Sequence, residues 1–117
     1  MLGTRPRLEA AQVAPSTFVV TARGTLDETV TLELRDLLFP LVTAGDASVV
    51  VDLREVLELD PAPLGVVVSA AHMLERRGRR LTLVATSRHL TELVHASGLD
   101  RVAQLERSLD RGLTHAH

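Results

Sequence analysis

At 117 residues the chain has the length of one ordinary domain. At that size roughly two-thirds of the unfolded surface can be buried, so neither a metal nor a disulfide is needed to hold it together. The absence of cysteine excludes a disulfide scaffold, a thiol nucleophile and a Cys-based zinc site. A net charge of -2, from 13 basic and 15 acidic residues, together with only two aromatics, Phe18 and Phe39, argues against a nucleic-acid partner.

No stretch reaches the ~20 apolar residues of a membrane span, and "MLGTRPRLEAAQ" lacks the apolar segment of a signal peptide. A soluble, cytoplasmic protein without membrane insertion is therefore expected, with both termini frayed. "TFVVTARG" (17–24) reads as a strand of β-branched residues ending at a glycine. A helix follows, with Val30, Leu34, Leu37, Leu38 and Leu41 on one face. Thr25 and Glu28 have the spacing of a capping box, with Asp27 and Thr29 as rival caps. Pro40 is expected to kink or shorten this helix, and Gly45 to end it.

"SVVVDL" (48–53) is a continuous apolar run, as in a strand covered on both faces. After "REVLELDPAP" a second helix presents Leu64, Val67, Val68, Ala71 and Leu74, and ends in "RRGRR" with Gly78 as its C-terminal cap. "LTLVA" (81–85) is a third strand. "TSRHLTELVHASG" (86–98) is a third helix, capped by Thr86 or Ser87 and stopped by Gly98. A last strand at 102–106 and a short helix at 108–113 close the chain.

This alternation implies parallel strands joined by right-handed crossovers. The junctions Gly24 to Thr29, Leu59 to Leu64 and Ala85 to Arg88 then share one edge of the sheet, where α/β proteins bind ligands and partners.

The run "VVVDLREVLELDPAPLGVVVSA" resembles the central motif of the STAS domain, the fold of bacterial anti-sigma factor antagonists. Asp52 and Leu53 match the family's strand end, Val56 and Leu59 the apolar loop positions, and Asp60 the motif aspartate. Leu64 and Gly65 match the Leu-Gly that follows. "GTLDETVTLELRDLL", "GRRLTLVATS" and "LTELVHASGLDRV" extend the likeness over about residues 17 to 112. The resemblance implies one STAS-like α/β domain over 1–117, with a mixed sheet of four or five strands and about four helices.

It also implies a non-catalytic protein–protein regulator without a cofactor. The partner would be an anti-sigma factor of the histidine-kinase-like ATPase type or another regulatory protein, and a homodimer is allowed. The implied binding surface is Asp60, Pro61, Ala62, Pro63, Leu64 and Gly65, extended by Asp27, Thr86, Ser87 and Arg88. An accessory STAS subunit of a transporter ATPase and a self-associating scaffold are alternatives.

The family's Ser-Ser-Gly is here Pro61-Ala62-Pro63. Ala62 stands where family members carry the serine or threonine that a partner kinase phosphorylates, and a methyl group offers no nucleophile. Ser69, the next hydroxyl, is seven residues on in the helix body, about 10 Å away at 1.5 Å per residue. Pro61 and Pro63 lack the amide hydrogens with which a helix N-terminus receives phosphate. They also restrict Asp60 and Ala62 to extended backbone, so the helix is expected to start with Pro63 at its first position. The motif is thus either permanently competent to bind, or diverged toward a partner that never used phosphorylation, or a surface without a partner.

Asp27 and Asp60 share the functional edge as two carboxylates, but helix capping accounts for both better than acid–base catalysis. No phosphate loop or Ser-His-Asp set can be assembled. His89 and His95 are six apart, off the i, i+4 spacing of a helical metal pair, and His72, His115 and His117 add no ligand pattern. "RRGRR" reads as a solvated helix end whose cations complement the helix dipole.

Overall fold

The computed structural model describes residues 7–115 of the chain. Strand β1 spans Leu8–Ala14 and β2 Thr17–Leu26; a 3-10 turn, Glu28–Val30, leads into α1, Thr31–Thr43. Strand β3 covers Ser48–Leu59, α2 Pro61–Glu75, β4 Leu81–Val84 and α3 Arg88–Ala96. A second 3-10 turn at Leu99–Arg101 precedes β5, Ala103–Glu106, and α4, Leu109–His115. The five strands form one sheet in the order β1-β2-β3-β4-β5, with β1 antiparallel to β2 and every other pair parallel. The mixed sheet and its four α-helices are the architecture that the sequence implies.

Alternation along the strands divides the core in two. Val20, Ala22, Val49, Val51, Leu53, Leu81 and Leu83 join the main cluster with the buried residues of α1, α2 and α3. Val19, Val50 and Val84 point to the other face, where Leu109 and Leu113 of α4 cover them. Strand β3 is buried on both faces because both carry helices, as its unbroken apolar run requires.

Helix α4 lies close enough that a Cβ on Gly112 would stand 2.9 Å from Val84 Cγ2 and 3.5 Å from Thr82 Cγ2. Gly112→Ala gains about 1 kcal/mol of helix propensity. Forcing a methyl against two buried β-branched side chains costs about 1–3 kcal/mol. A net loss of about 1 kcal/mol is expected in denaturant titration; a gain would mean that α4 can lift away freely.

Several local expectations are corrected. The N-terminal stretch is not frayed from Arg7 onward: Leu8 is buried under α1, and Arg23 N–H donates to the Arg7 carbonyl at 2.8 Å. Its Ala-rich composition hid a strand that owes its order to pairing with β2. Residues 54–59 form no loop but the second half of β3, paired with β2 up to Leu26 and Leu59. Pro40 does not end α1, which continues to Thr43 with Ala44 N–H bonded to the Pro40 carbonyl at 3.1 Å. A proline so near the helix end removes one bond there and leaves the last turn intact.

"RRGRR" is more than a solvated helix end. Arg77 donates to the carbonyls of Thr43 and Gly45 at 3.3 and 2.6 Å, Arg79 to Ser48 Oγ at 3.1 Å, and Arg80 to the Arg101 carbonyl at 2.7 Å. These guanidiniums bind the turn after α2 to the end of α1, the start of β3 and the approach to β5. Gly78 and Gly98 end their helices with φ of 74° and 77°, as expected of C-terminal glycines.

Candidate functional site

The C-terminal ends of β2 and β3 are level, and the turns leaving them enclose an open cleft of about 520 Å³. Asp27, Glu28, Thr29, Asp60, Pro61 and Ala62 line it. Asp27 caps the 3-10 turn before α1: its Oδ1 accepts from Thr29 N–H at 3.0 Å and also from the Thr29 hydroxyl. Thr25 forms no capping box, because it belongs to β2. The Thr29 hydroxyl and amide, with Arg7 nearby, hold the Asp27 carboxyl below its ordinary value, against a smaller effect of burial.

Arg7 buttresses this wall of the cleft. One guanidinium nitrogen lies 3.2 Å from the Thr25 carbonyl and 3.7 Å from Asp27 Oδ1; the other lies 3.3 Å from Thr29 Oγ1. Sequence reasoning missed Arg7, Glu28 and Thr29 as site residues. The last two were reachable as neighbours of Asp27, whereas Arg7 required knowledge of β1.

The opposite wall is the start of α2. Asp60 is its N-cap, with extended backbone, as expected of a residue before proline. The helix begins at Pro61, not at Pro63 as the sequence suggested, and Ala62 is already helical. The first three amides of any helix lack intrahelical acceptors, so prolines at the first and third positions break no bond. The first intrahelical bond runs from Leu64 N–H to the Asp60 carbonyl at 3.0 Å. Of the first three helical positions only Ala62 carries an N–H, and the Asp60 side chain makes no cap bond. An aspartate cap normally engages the second or third amide, and the third is a proline here. Pro63 is buried, while Pro61, Ala62 and Gly65 face solvent. Ser69 is also exposed, but midway along α2.

Strand β4 stops short of this cleft. Val84 is level with Asp52, seven residues before Leu59 at the end of β3, or roughly 20 Å of strand. Thr86, Ser87 and Arg88 therefore do not line the cleft. His89 Nε2 lies 3.2 Å from Glu58 Oε1, which places the start of α3 beside the projecting half of β3. Ser87 caps α3, accepting from Leu90 N–H at 3.1 Å, and Arg88 pairs with Glu92 at 3.0 Å. Thr86 is exposed just before the cap.

His95 Nδ1 contacts Asp100 Oδ2 at 2.6 Å, and His72 Nδ1 is 3.8 Å from Glu75. Among the described residues no group of three His, Asp or Glu side chains is placed to hold a metal; His117 and the side chain of His115 fall outside them. No helix among the described residues is long and apolar enough to cross a membrane.

A parallel sheet with one antiparallel edge strand, three helices on one face and a helix starting where β2 and β3 end is the architecture of a STAS domain. The family model for the MlaB-type STAS domain matches residues 9–109, and the chain belongs to that family. No curated protein matches the sequence.

Solved structures share the fold. An anti-sigma factor antagonist from Mycobacterium paratuberculosis has TM-score 0.81 and 22% identity, covering 93% of this chain and 92% of that one. The Bacillus cell fate determinant SpoIIAA in its phosphorylated form gives TM-score 0.75 at 17% identity, covering 94% and 99%. A sulfate transporter family protein from Wolinella succinogenes gives TM-score 0.73 at 18% identity, covering 91% and 88%.

Proposed function

We propose that this protein is a non-catalytic regulator that binds a protein partner at the β2/β3 edge, in the manner of an anti-sigma factor antagonist that cannot be phosphorylated at the motif. The observation that carries this reading is the junction itself. Asp60 and the exposed Pro61 and Ala62 sit at a rigid helix start facing Asp27 across the cleft. The binding surface runs from Asp60 through Pro61, Ala62, Pro63, Leu64 and Gly65, with Asp27 opposite. Thr86, Ser87 and Arg88 flank it beyond the projecting half of β3, within reach of a partner that spans that strand.

Ala62 provides no side-chain hydroxyl to receive a phosphoryl group, and the two prolines leave the first turn with few free donors for an anion. Release of the partner by a phosphate of about -1.5 to -2 charge is therefore unavailable at this position. The partner is a histidine-kinase-like anti-sigma ATPase held constitutively, or a regulator that never used the phosphate. A second reading is an accessory subunit of a transporter ATPase, since the same fold also occurs in a sulfate transporter family protein.

Tagged capture from the native cell, with mass spectrometry of the co-eluting proteins, separates these readings by the kind of ATPase recovered. Calorimetry with the recovered partner then tests the surface. Ala62→Glu, which imitates the missing phosphate, is expected to weaken binding at least ~10-fold, about 1.4 kcal/mol, whereas Ala62→Ser leaves it within about twofold. Equal binding by both variants would remove this edge from the interface.

A further inference from the structure

The sheet has two edges, and they are guarded differently. Strand β5 is four residues long and ends at Glu106, followed by Arg107; short, charged edges resist pairing. Strand β1 is seven residues long, Leu8–Ala14, and its only charged side chain, Glu9, is held by Arg23 of its own chain at 2.9 Å. Gln12 is likewise turned back, its Nε2 donating to the Pro15 carbonyl at 2.9 Å. From Leu8 to Gln12 the strand has no proline, no bulge and no unpaired charge, and Glu9 to Gln12 are exposed.

The phase of its backbone bonds is set. Arg23 N–H donates to the Arg7 carbonyl, and the register pairs Leu8 with Ala22, Glu9 with Thr21 and Ala11 with Val19. In an antiparallel ladder, bonding residues alternate with residues whose groups point the other way. Arg7, Glu9 and Ala11 thus bond to β2, and the N–H and C=O groups of Leu8, Ala10 and Gln12 point outward.

Those three residues are symmetric about Ala10. We propose that β1 pairs antiparallel with β1 of a second copy of this chain, about a two-fold axis at Ala10, joining two five-stranded sheets into one. Leu8 then exchanges hydrogen bonds with Gln12 of the second copy, Ala10 with its own equivalent, and Gln12 with Leu8. Glu9 meets an alanine, Ala11 of the second copy, so no like charges oppose each other. The methyl group of Ala10 lets the two strands meet at the axis without obstruction. A single strand pair buries less than a standard interface, so this dimer is weak and forms with rising concentration.

The chain has no cysteine, so single cysteines report the register. In Ala10→Cys the symmetric arrangement sets the two Cα atoms about 5.5 Å apart, inside the range of roughly 4.4–6.8 Å that a disulfide spans. In Ala11→Cys each residue lies one position from the axis, so the equivalent atoms are two strand positions apart and lie beyond that range. Mild oxidation is expected to convert Ala10→Cys to a covalent dimer of twice 12.7 kDa at least ~10-fold faster than Ala11→Cys. Equal rates would overturn the register.

Sedimentation of the unaltered chain is expected to show a dimer that dissociates on dilution. Ala10→Lys, which opposes two ammonium groups at the axis, should raise its dissociation constant at least ~10-fold, with the melting temperature of the dilute, monomeric protein unchanged. A chain that stays monomeric up to about 1 mM, or a dimer indifferent to Ala10→Lys, would overturn the proposal.

Discussion

Leu38→Ala is expected to lower the unfolding free energy by about 3 kcal/mol. Leu38 is fully buried at 0% exposure, in the middle of α1, within the cluster that joins α1 to α2 and the sheet. Removing three carbons there forfeits the transfer energy of the side chain and leaves a cavity bounded by elements that cannot collapse independently. A domain of this size has only about 5–15 kcal/mol in total, so the loss is a large share. Leu37→Ala, one position round the helix and only partly buried, should cost clearly less. Leu32→Ala, at a side chain 58% exposed, should stay within about 0.5 kcal/mol. Urea titration of the three variants measures this ordering, and similar losses at Leu38 and Leu32 would mean that α1 is not seated on the face described. The helix also carries Asp27 at its entrance, so loosening it should widen the candidate cleft.

Arg54→Met is expected to cost about 2 kcal/mol at neutral pH and to change how stability depends on acid. Asp52 is buried on the α4 face of β3, and its carboxylate accepts from Arg54 Nε at 2.9 Å, Nη2 at 2.8 Å and the Arg54 backbone N–H at 3.1 Å. Burial pushes the Asp52 carboxyl up, but the hydrogen bonds and charge of Arg54, with Arg23 behind, outweigh it and hold the group below its ordinary value of 3.8. A carboxyl held low in the folded state contributes stability that is present above its unfolded pKa and lost as pH falls through the folded one. Without the guanidinium, burial is opposed only by the backbone N–H of residue 54 and by Arg23, so the carboxyl is expected to rise. The variant's Asp52 then contributes less stability at neutral pH and has less to lose as the solution is acidified.

The gap between the two proteins should therefore be widest near pH 7 and narrow below about pH 4. Removing one partner of a fully buried pair costs about 3–5 kcal/mol. The lower figure here reflects the Arg54 side chain, which is 40% exposed and shares its charge with water. Denaturant titrations from pH 7 to pH 3 check this, and a gap that does not change with pH would refute it.

Much of this protein was legible before its structure, because its local signals agree with one another. The continuous apolar runs of β3 and β4 needed helices on both faces, and the faces of α1 and α2 were read to within a residue. Val42 was missed on α1, and α2 buries Val66 and Ala70 while Leu64 and Val68 are only partly covered. Ser87 and Gly98 delimit α3 as capping chemistry demands. The Pro-Ala-Pro replacement, and with it the loss of a hydroxyl at position 62, is covalent chemistry and needs no coordinates.

Tertiary contacts decided the rest. Strand β1 has an alanine-rich sequence with little strand preference, and only the ladder to β2 makes it a strand. The family resemblance puts a loop at residues 54–59, and their buried residues recur every third position, Leu53, Val56 and Leu59, with Leu57 exposed, where a regular strand alternates. Two irregularities in the pairing with β2, between Thr21 and Arg23 and between Gly24 and Thr25, reset the alternation and carry β3 to the cleft. Because β4 has no matching extension, Thr86 to Arg88 are left on the flank, away from Asp27 and Asp60. Residue chemistry can thus be read along the chain, but which residues share a cleft depends on the relative lengths and register of neighbouring strands, and those are set by pairing across the sheet.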